Sequence, residues 1–161
     1  MKNIILICGL LLGSTAFLSC DKKDDDPYGN NCEAAAGAIC TTVGSDAMSG
    51  PATWRRINGT PNRFRIDFQS GSKNIEIDMY SNDTIPYSQS FPAGESRAAG
   101  SSVITYFDGT SEWIATEGDA SIDDRANDQL TGRFQGKLTK VGGTETMYIK
   151  ASSFKQLPKT N

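Results

Sequence analysis

The chain has 161 residues, with 16 Lys and Arg against 19 Asp and Glu and no histidine. The missing histidine removes the commonest general base, the commonest metal ligand and the usual partner of a Ser or Cys nucleophile. A mildly acidic chain without a basic stripe is not built to neutralise phosphates, so nucleic acid is not an expected partner.

The first segment has the parts of a secretory signal: Lys2, an apolar run from Ile4 to Leu18, and small Ser19 before Cys20. The run falls short of the roughly 20 residues that a spanning helix needs. Phe17-Leu18-Ser19-Cys20 resembles a lipobox, with Phe where Leu is usual. That resemblance implies cleavage before Cys20 and acylation of its thiol, which divides the chain into a signal peptide (1–19), a lipidated tether (20–31) and one domain (32–158). Each buried methylene contributes about 0.8 kcal/mol, so two or three acyl chains would anchor it firmly.

The tether, Asp21-Lys22-Lys23-Asp24-Asp25-Asp26 and then Pro27 to Asn31, is solvated. It resembles the acidic export signal of surface lipoproteins of Bacteroidota, which implies an outer-membrane lipoprotein facing outward rather than toward the periplasm. A plain hydrophilic spacer explains the same charges. Losing Lys2 leaves 15 basic against 19 acidic residues in the mature chain, a charge near −4.

Cys32 and Cys40 are the cysteines left in the domain. Outside the cytoplasm such a pair persists as a disulfide, contributing about 2.6 kcal/mol through loop closure. Between them Glu33-Ala-Ala-Ala-Gly37-Ala-Ile39 looks helical by propensity. A continuous helix would hold the two Cα atoms about 12 Å apart, against about 7 Å at most for a disulfide. Either Gly37 bends the segment and the bond forms, or the helix is intact and the thiols are free. The bond is the expectation.

From Asn62 the pattern alternates. Phe64, Ile66 and Phe68 are interleaved with polar residues, Gly71-Ser72 suits a type II′ turn, and Ile75, Ile77 and Met79 return. If Gly71 and Ser72 are the turn, Phe68 faces Ile75, Ile66 faces Ile77 and Phe64 faces Met79. Arg65 then faces Asp78, Arg63 faces Tyr80, and Asp67 meets Glu76 in a like-charge pair that needs Arg65 or Lys73 to screen it. Further strands are predicted near Tyr87 to Phe91, at Ser102 to Phe107, Glu112 to Thr116 and Asp119 to Asp123. Leu130, Phe134 and Leu138 share a face with Gly132 and Gly136, and a last strand runs from Glu145 to Ala151. Seven or eight short strands suggest an all-β antiparallel sandwich, with a small barrel as the alternative.

Gly118-Asp119-Ala120-Ser121-Ile122-Asp123, Leu130-Thr131-Gly132-Arg133-Phe134 and Tyr148 to Phe154 resemble an uncharacterised domain family of Bacteroidota lipoproteins, over about 64–154. Gly-Arg-Phe stands where the family favours Gly-Thr-Phe, and Ser-Ser-Phe where it favours Asn-Gly-x-Phe. The resemblance implies a β-rich fold and no catalytic residue.

An enzyme here would have to work through carboxylates, with Glu76, Asp78, Glu112, Glu117 and Asp119 as candidates; their outward or turn positions favour solvation instead. Asp123, Asp124, Asn127 and Asp128 have the oxygens of a calcium loop but lack its glycine, and fit a polar turn. Neither a cofactor nor a metal site is expected. Aromatic residues are the more plausible contacts for a sugar or a protein, foremost Trp54, Tyr80 and Trp113, with Tyr87, Tyr106 and Tyr148 beside them; core packing is the competing role. The expected function is a non-catalytic binding module held to a membrane. Its alternatives are an immunity- or inhibitor-type lipoprotein that neutralises an envelope toxin, and a glycan-binding module.

Overall fold

A computed structural model describes residues 32–82 and 89–161. The signal segment, Cys20, the tether and Tyr87 lie outside the described residues. Within them nine strands and no helix are present: β1 Ala38–Val43, β2 Asp46–Ile57, β3 Asn62–Ser70, β4 Lys73–Ser81, β5 Gln89–Pro92, β6 Ser102–Phe107, β7 Glu112–Ala126, β8 Gln129–Lys140 and β9 Thr146–Leu157.

Every ladder between these strands is antiparallel, in the order β7-β6-β4-β3-β2-β1-β9-β8, and β8 pairs back onto β7. Eight strands therefore close on themselves, and β5 is added beside the second half of β7. This is the small barrel, not the sandwich preferred from the sequence. The strand pattern is common to both, and the β7–β8 ladder decides between them.

The hairpin β3–β4 has the register that its alternation predicts, with Ile66 opposite Ile77, Phe64 opposite Met79 and Phe68 opposite Ile75. Gly71 lies at φ 61°, as the first position of a type II′ turn requires. Gly44 at φ 58° makes the matching turn between β1 and β2. Gly37, at φ 76°, turns the chain into β1, so the alanine-rich segment is not a helix. Cys32 and Cys40 stand at disulfide distance, with Cα atoms 5.4 Å apart.

Alternate side chains fill the interior. Ile39, Trp54, Phe64, Ile66, Ile77, Ile104, Phe134 and Phe154 are each no more than 2 % exposed. An eight-stranded barrel is just wide enough for side chains to occupy its inside, and this one is packed with them. Trp54 sits toward one end, its indole N–H donating to Asp128 O (2.8 Å) with Lys159 Nζ 5.6 Å from its ring. Trp113 sits toward the other, under Lys140 Nζ at 5.8 Å. Beyond β9, Pro158 O accepts from Trp54 N–H and Thr160 N–H donates to Trp54 O. The chain after β9 thus stays paired with β2 as far as Thr160.

The strands predicted at Glu112 to Thr116 and Asp119 to Asp123 are one, β7. It carries irregularities between Ala115 and Glu117 and between Ile122 and Asp124, and it bends through Gly118 at φ 121°. Its first part pairs with β6 and its second with β5 on the same edge. Across from it, Gly132 is packed so closely that a Cβ would collide with Ser121 O and stand 2.5 Å from Phe154 Cζ. Overpacking of that kind costs about 1–3 kcal/mol. Gly132→Ala is therefore expected to lower stability by about 2–3 kcal/mol in urea denaturation. Gly94→Ala, where an added Cβ meets nothing within 4 Å, is expected to leave stability within about 0.5 kcal/mol.

Candidate functional site

With the interior filled, the places where a ligand fits are on the outside. One is a concavity of about 1070 Å³ across the outer faces of β5, β7, β8 and β9, walled on one side by Cys32, Glu33 and Ala34. Its floor follows from strand alternation. Ala120, Ile122, Phe134 and Phe154 point inward and are buried, leaving Asp119, Ser121 and Asp123 of β7 beside Thr131, Arg133 and Gln135 of β8 on the outer face.

These groups hold one another in place. Arg133 donates from Nε to Asp123 Oδ2 (2.9 Å) and from Nη2 to Oδ1 (3.3 Å), and Ser121 Oγ donates to Asp123 Oδ1 (3.3 Å). Gln135 Nε2 donates to Asp119 Oδ1 (3.1 Å), whose other oxygen accepts from Ser90 Oγ of β5 (3.3 Å). The hydrogen bond to Asp123 raises the Arg133 pKa above its usual value. Arg133 remains 70 % exposed in its side chain, so a charge-bearing planar group is presented to a ligand with its orientation already set. Ser153 and Lys155 of β9 complete the far side.

The foremost aromatic candidates, Trp54, Tyr80 and Trp113, do not form an exposed platform. Trp54, Tyr80 and Trp113 are 2 %, 6 % and 7 % exposed, and they stand on β2, β4 and β7. Both tryptophans face the core. Tyr80 is on the outer face of β4, opposite Arg63, yet is buried. Tyr106 is core as well, and burial raises its phenol pKa.

The carboxylate candidates are spread over two regions. Glu76 and Asp78 belong to a charge ladder on β2–β3–β4. Arg65 Nε and Nη2 donate to Asp78 Oδ1 (2.8 Å) and Oδ2 (2.7 Å), while its Nη1 is 2.6 Å from Glu76 Oε2. Arg63 reaches Asp78 at 3.4 Å, and Arg55 reaches Asp67 at 3.4 Å. The like-charge pair Asp67–Glu76 is thus screened from both sides, by Arg65 as anticipated and by Arg55 from β2. Lys73 instead pairs with Asp46. Glu117 on β7 pairs with Lys137 at 3.4 Å, and Asp119 lies in the groove. Glu76 and Asp78 share Arg65, and Glu112 stands at the exposed start of β7.

In the acidic turn Asp123 is engaged by Arg133 and Asp128 by Arg125 at 3.2 Å. Asn127 and Asp128 take left-handed conformations at φ 51° and 59°, as a type I′ hairpin turn needs. Among the described residues no group of three His, Cys, Asp or Glu is arranged to hold a metal ion.

Comparison with family models, with curated proteins and with solved structures finds no match for this chain.

Two expectations follow from the charge geometry. Asp78 is 5 % exposed and serves two arginines, so Asp78→Ala leaves a partly buried guanidinium short of its acceptor. A loss of about 2 kcal/mol is expected in urea denaturation. Glu76 differs, because burial is the largest influence on its carboxyl and raises its pKa despite Arg65; Glu76→Gln is expected to change stability by no more than about 0.5 kcal/mol at neutral pH.

Asp108 is held far below the usual carboxylate range by the Ser111 N–H, the Trp113 indole N–H and the Thr110 hydroxyl and N–H. A folded pKa below the unfolded one gives stability present above the unfolded value, 3.8, and lost as pH falls toward the folded value. Asp108→Asn is therefore expected to flatten the decline of thermal stability below about pH 4, read from melting curves across an acid series.

Proposed function

We propose that this chain is a membrane-anchored lipoprotein of the cell envelope whose barrel is a non-catalytic binding module, with the outer groove as its binding face. The observation that carries the reading is the contrast between a packed interior and a preset polar exterior. A barrel that carried a ligand inside would need an open lumen, whereas Ile66, Ile77 and Ile104 meet there at 0 % exposure. Binding is left to the outer surface. Support for the anchor comes from the sequence: the apolar run, small Ser19, Cys20 and the acidic tether. Display on the outer side of the outer membrane is the reading that the tether composition favours.

The groove's chemistry favours a glycan among the ligands such a module takes. Its polar groups are a carboxylate–guanidinium pair, a carboxylate–amide pair and hydroxyls, with Glu33 and Lys155 at the strap and β9 edge. They offer donors and acceptors side by side, with charges of both signs. Adjacent sugar hydroxyls, each donor and acceptor at once, match that pattern. A strongly anionic ligand would meet Asp119 and Asp123, and an apolar one would find the apolar floor turned inward.

Affinity electrophoresis of the mature chain through gels containing neutral polysaccharides tests the ligand. At least one is expected to retard the wild type, and Arg133→Ala with Gln135→Ala is expected to weaken that retardation at least tenfold. Retardation by none of them overturns the glycan reading. Cys20→Ala tests the anchor: it is expected to move the chain out of the membrane fraction. Persistence there after a high-salt wash overturns the lipoprotein reading.

A further inference from the structure

The barrel is entered along a strap. Cys32 N–H donates to Ala151 O (3.1 Å), Ala34 N–H to Ser153 Oγ (2.8 Å) and Gly37 N–H to Lys155 O (2.7 Å), while Ser153 Oγ donates to Cys32 O (2.6 Å). Residues 32–37 therefore lie along β9 until Gly37 reverses the chain and β1 returns between β9 and β2. The first three strap residues are also the wall of the groove. The part of the site nearest the tether is thus a peripheral segment held by a few hydrogen bonds and by Cys32–Cys40.

We infer that a Cys32–Cys40 disulfide is a force-bearing clamp, which keeps the groove wall on the barrel when the chain is pulled from its N-terminal end. Without the bond, tension arriving at Cys32 loads the strap's hydrogen bonds one after another, and the wall peels before any strand is disturbed. With the bond, tension passes directly to Cys40, which pairs with Ser49 of β2 and Ser153 of β9. Two ladders then have to give together. The inference rests on the anchored binding module, since an anchor at Cys20 is what would deliver tension there.

Opening the clamp is a two-electron reduction. A dithiol reductant such as dithiothreitol supplies both electrons, leaves as its cyclic disulfide, and yields two protein thiols. Peeling the strap, residues 32–37, then frees at most about 20–22 Å of chain ahead of Ala38, where β1 begins.

The test is single-molecule stretching of the mature chain, residues 20–161, between its termini, with and without dithiothreitol added after folding. The expected result under dithiothreitol is an early extension of at most about 20–22 Å before the main rupture, absent from the oxidised chain and present in Cys40→Ser without reductant. Hydrogen exchange read in parallel is expected to show the amides of Cys32, Ala34 and Gly37 at least tenfold faster on reduction, with Ile66 in β3 unchanged. An identical trace in both conditions, or strap amides equally protected, overturns the clamp. Loss of protection at Ile66 overturns it too, because the bond would then hold the whole fold and not its wall. Failure of the anchor is read separately, from the fractionation of Cys20→Ala.

Discussion

The fold depends on the ladder between β7 and β8. Without it the remaining pairings describe a curled sheet with a bare edge on each of those long strands, and exposed edges template association with other chains. Pairing them removes both edges and converts the sheet into a barrel. Closure demands curvature that ordinary side chains obstruct. β7 meets the demand with two register irregularities and the bend at Gly118, whose Cβ would overlap Gln135 O. β8 meets it with Gly132 and Gly136 on the inward face, where a Cβ on Gly136 would stand 2.9 Å from Glu117 O. Bulges and glycines of this kind are how a sheet turns corners.

Closure then decides where function resides. Once eight strands surround a core of Ile, Phe and Trp side chains, nothing larger than those side chains fits inside. The outer face is left to carry the charged pairs. On β2–β3–β4 it carries alternating charge, with Arg65 bridging Glu76 and Asp78 and Arg55 meeting Asp67. There the charges satisfy one another and Asp78 is buried beneath its arginines. On β5, β7 and β8 the same kind of pairing leaves Arg133 largely exposed, and the surface is concave. Similar residue types therefore act differently on the two sides of the barrel: one region is internally saturated and the other presents oriented groups outward.

What the sequence made legible was local. The β3–β4 register could be read because six apolar residues alternate strictly about a Gly-Ser turn, and slipping by one place would expose them all. β8 was legible through Leu130, Phe134 and Leu138 on one face. β1 and β2 were not. β1 begins in an alanine-rich stretch with helical propensity, and β2 includes Gly50 and Pro51, residue types that ordinarily weaken or interrupt a strand. In the barrel, Gly50 occupies an inward position where a Cβ would stand 3.4 Å from the Phe68 ring, so the apparent breaker makes room for a large neighbour. β7 read as two strands for a related reason, because Gly118 marks its bend. Closure itself leaves no signature in alternation, since a sandwich and a barrel need the same period of two. The groove was illegible because it combines β5, two central strands and a strap brought together only by closure. The aromatic residues misled for a physical reason: in a narrow barrel the largest side chains are what fills the interior, so Trp54 and Trp113 serve the core.

Placement of the chain's entry point links the groove to the proposed anchor. Residue 32 lies on the outer side of β9 and not at the end of the barrel, so the tether reaches the domain on the same surface as the groove. From Cys20 to Cys32 the chain takes twelve steps, which span at most about 40–43 Å when extended. In an anchored chain the wall of the groove would therefore stay within that distance of the bilayer surface, however the rest of the barrel turned. A ligand for such a site has to be available close to the membrane, either as part of the envelope or as a molecule that approaches it. That restriction follows from chain length, the strap's position and the proposed anchor, and it holds whether the groove receives a sugar or a protein surface.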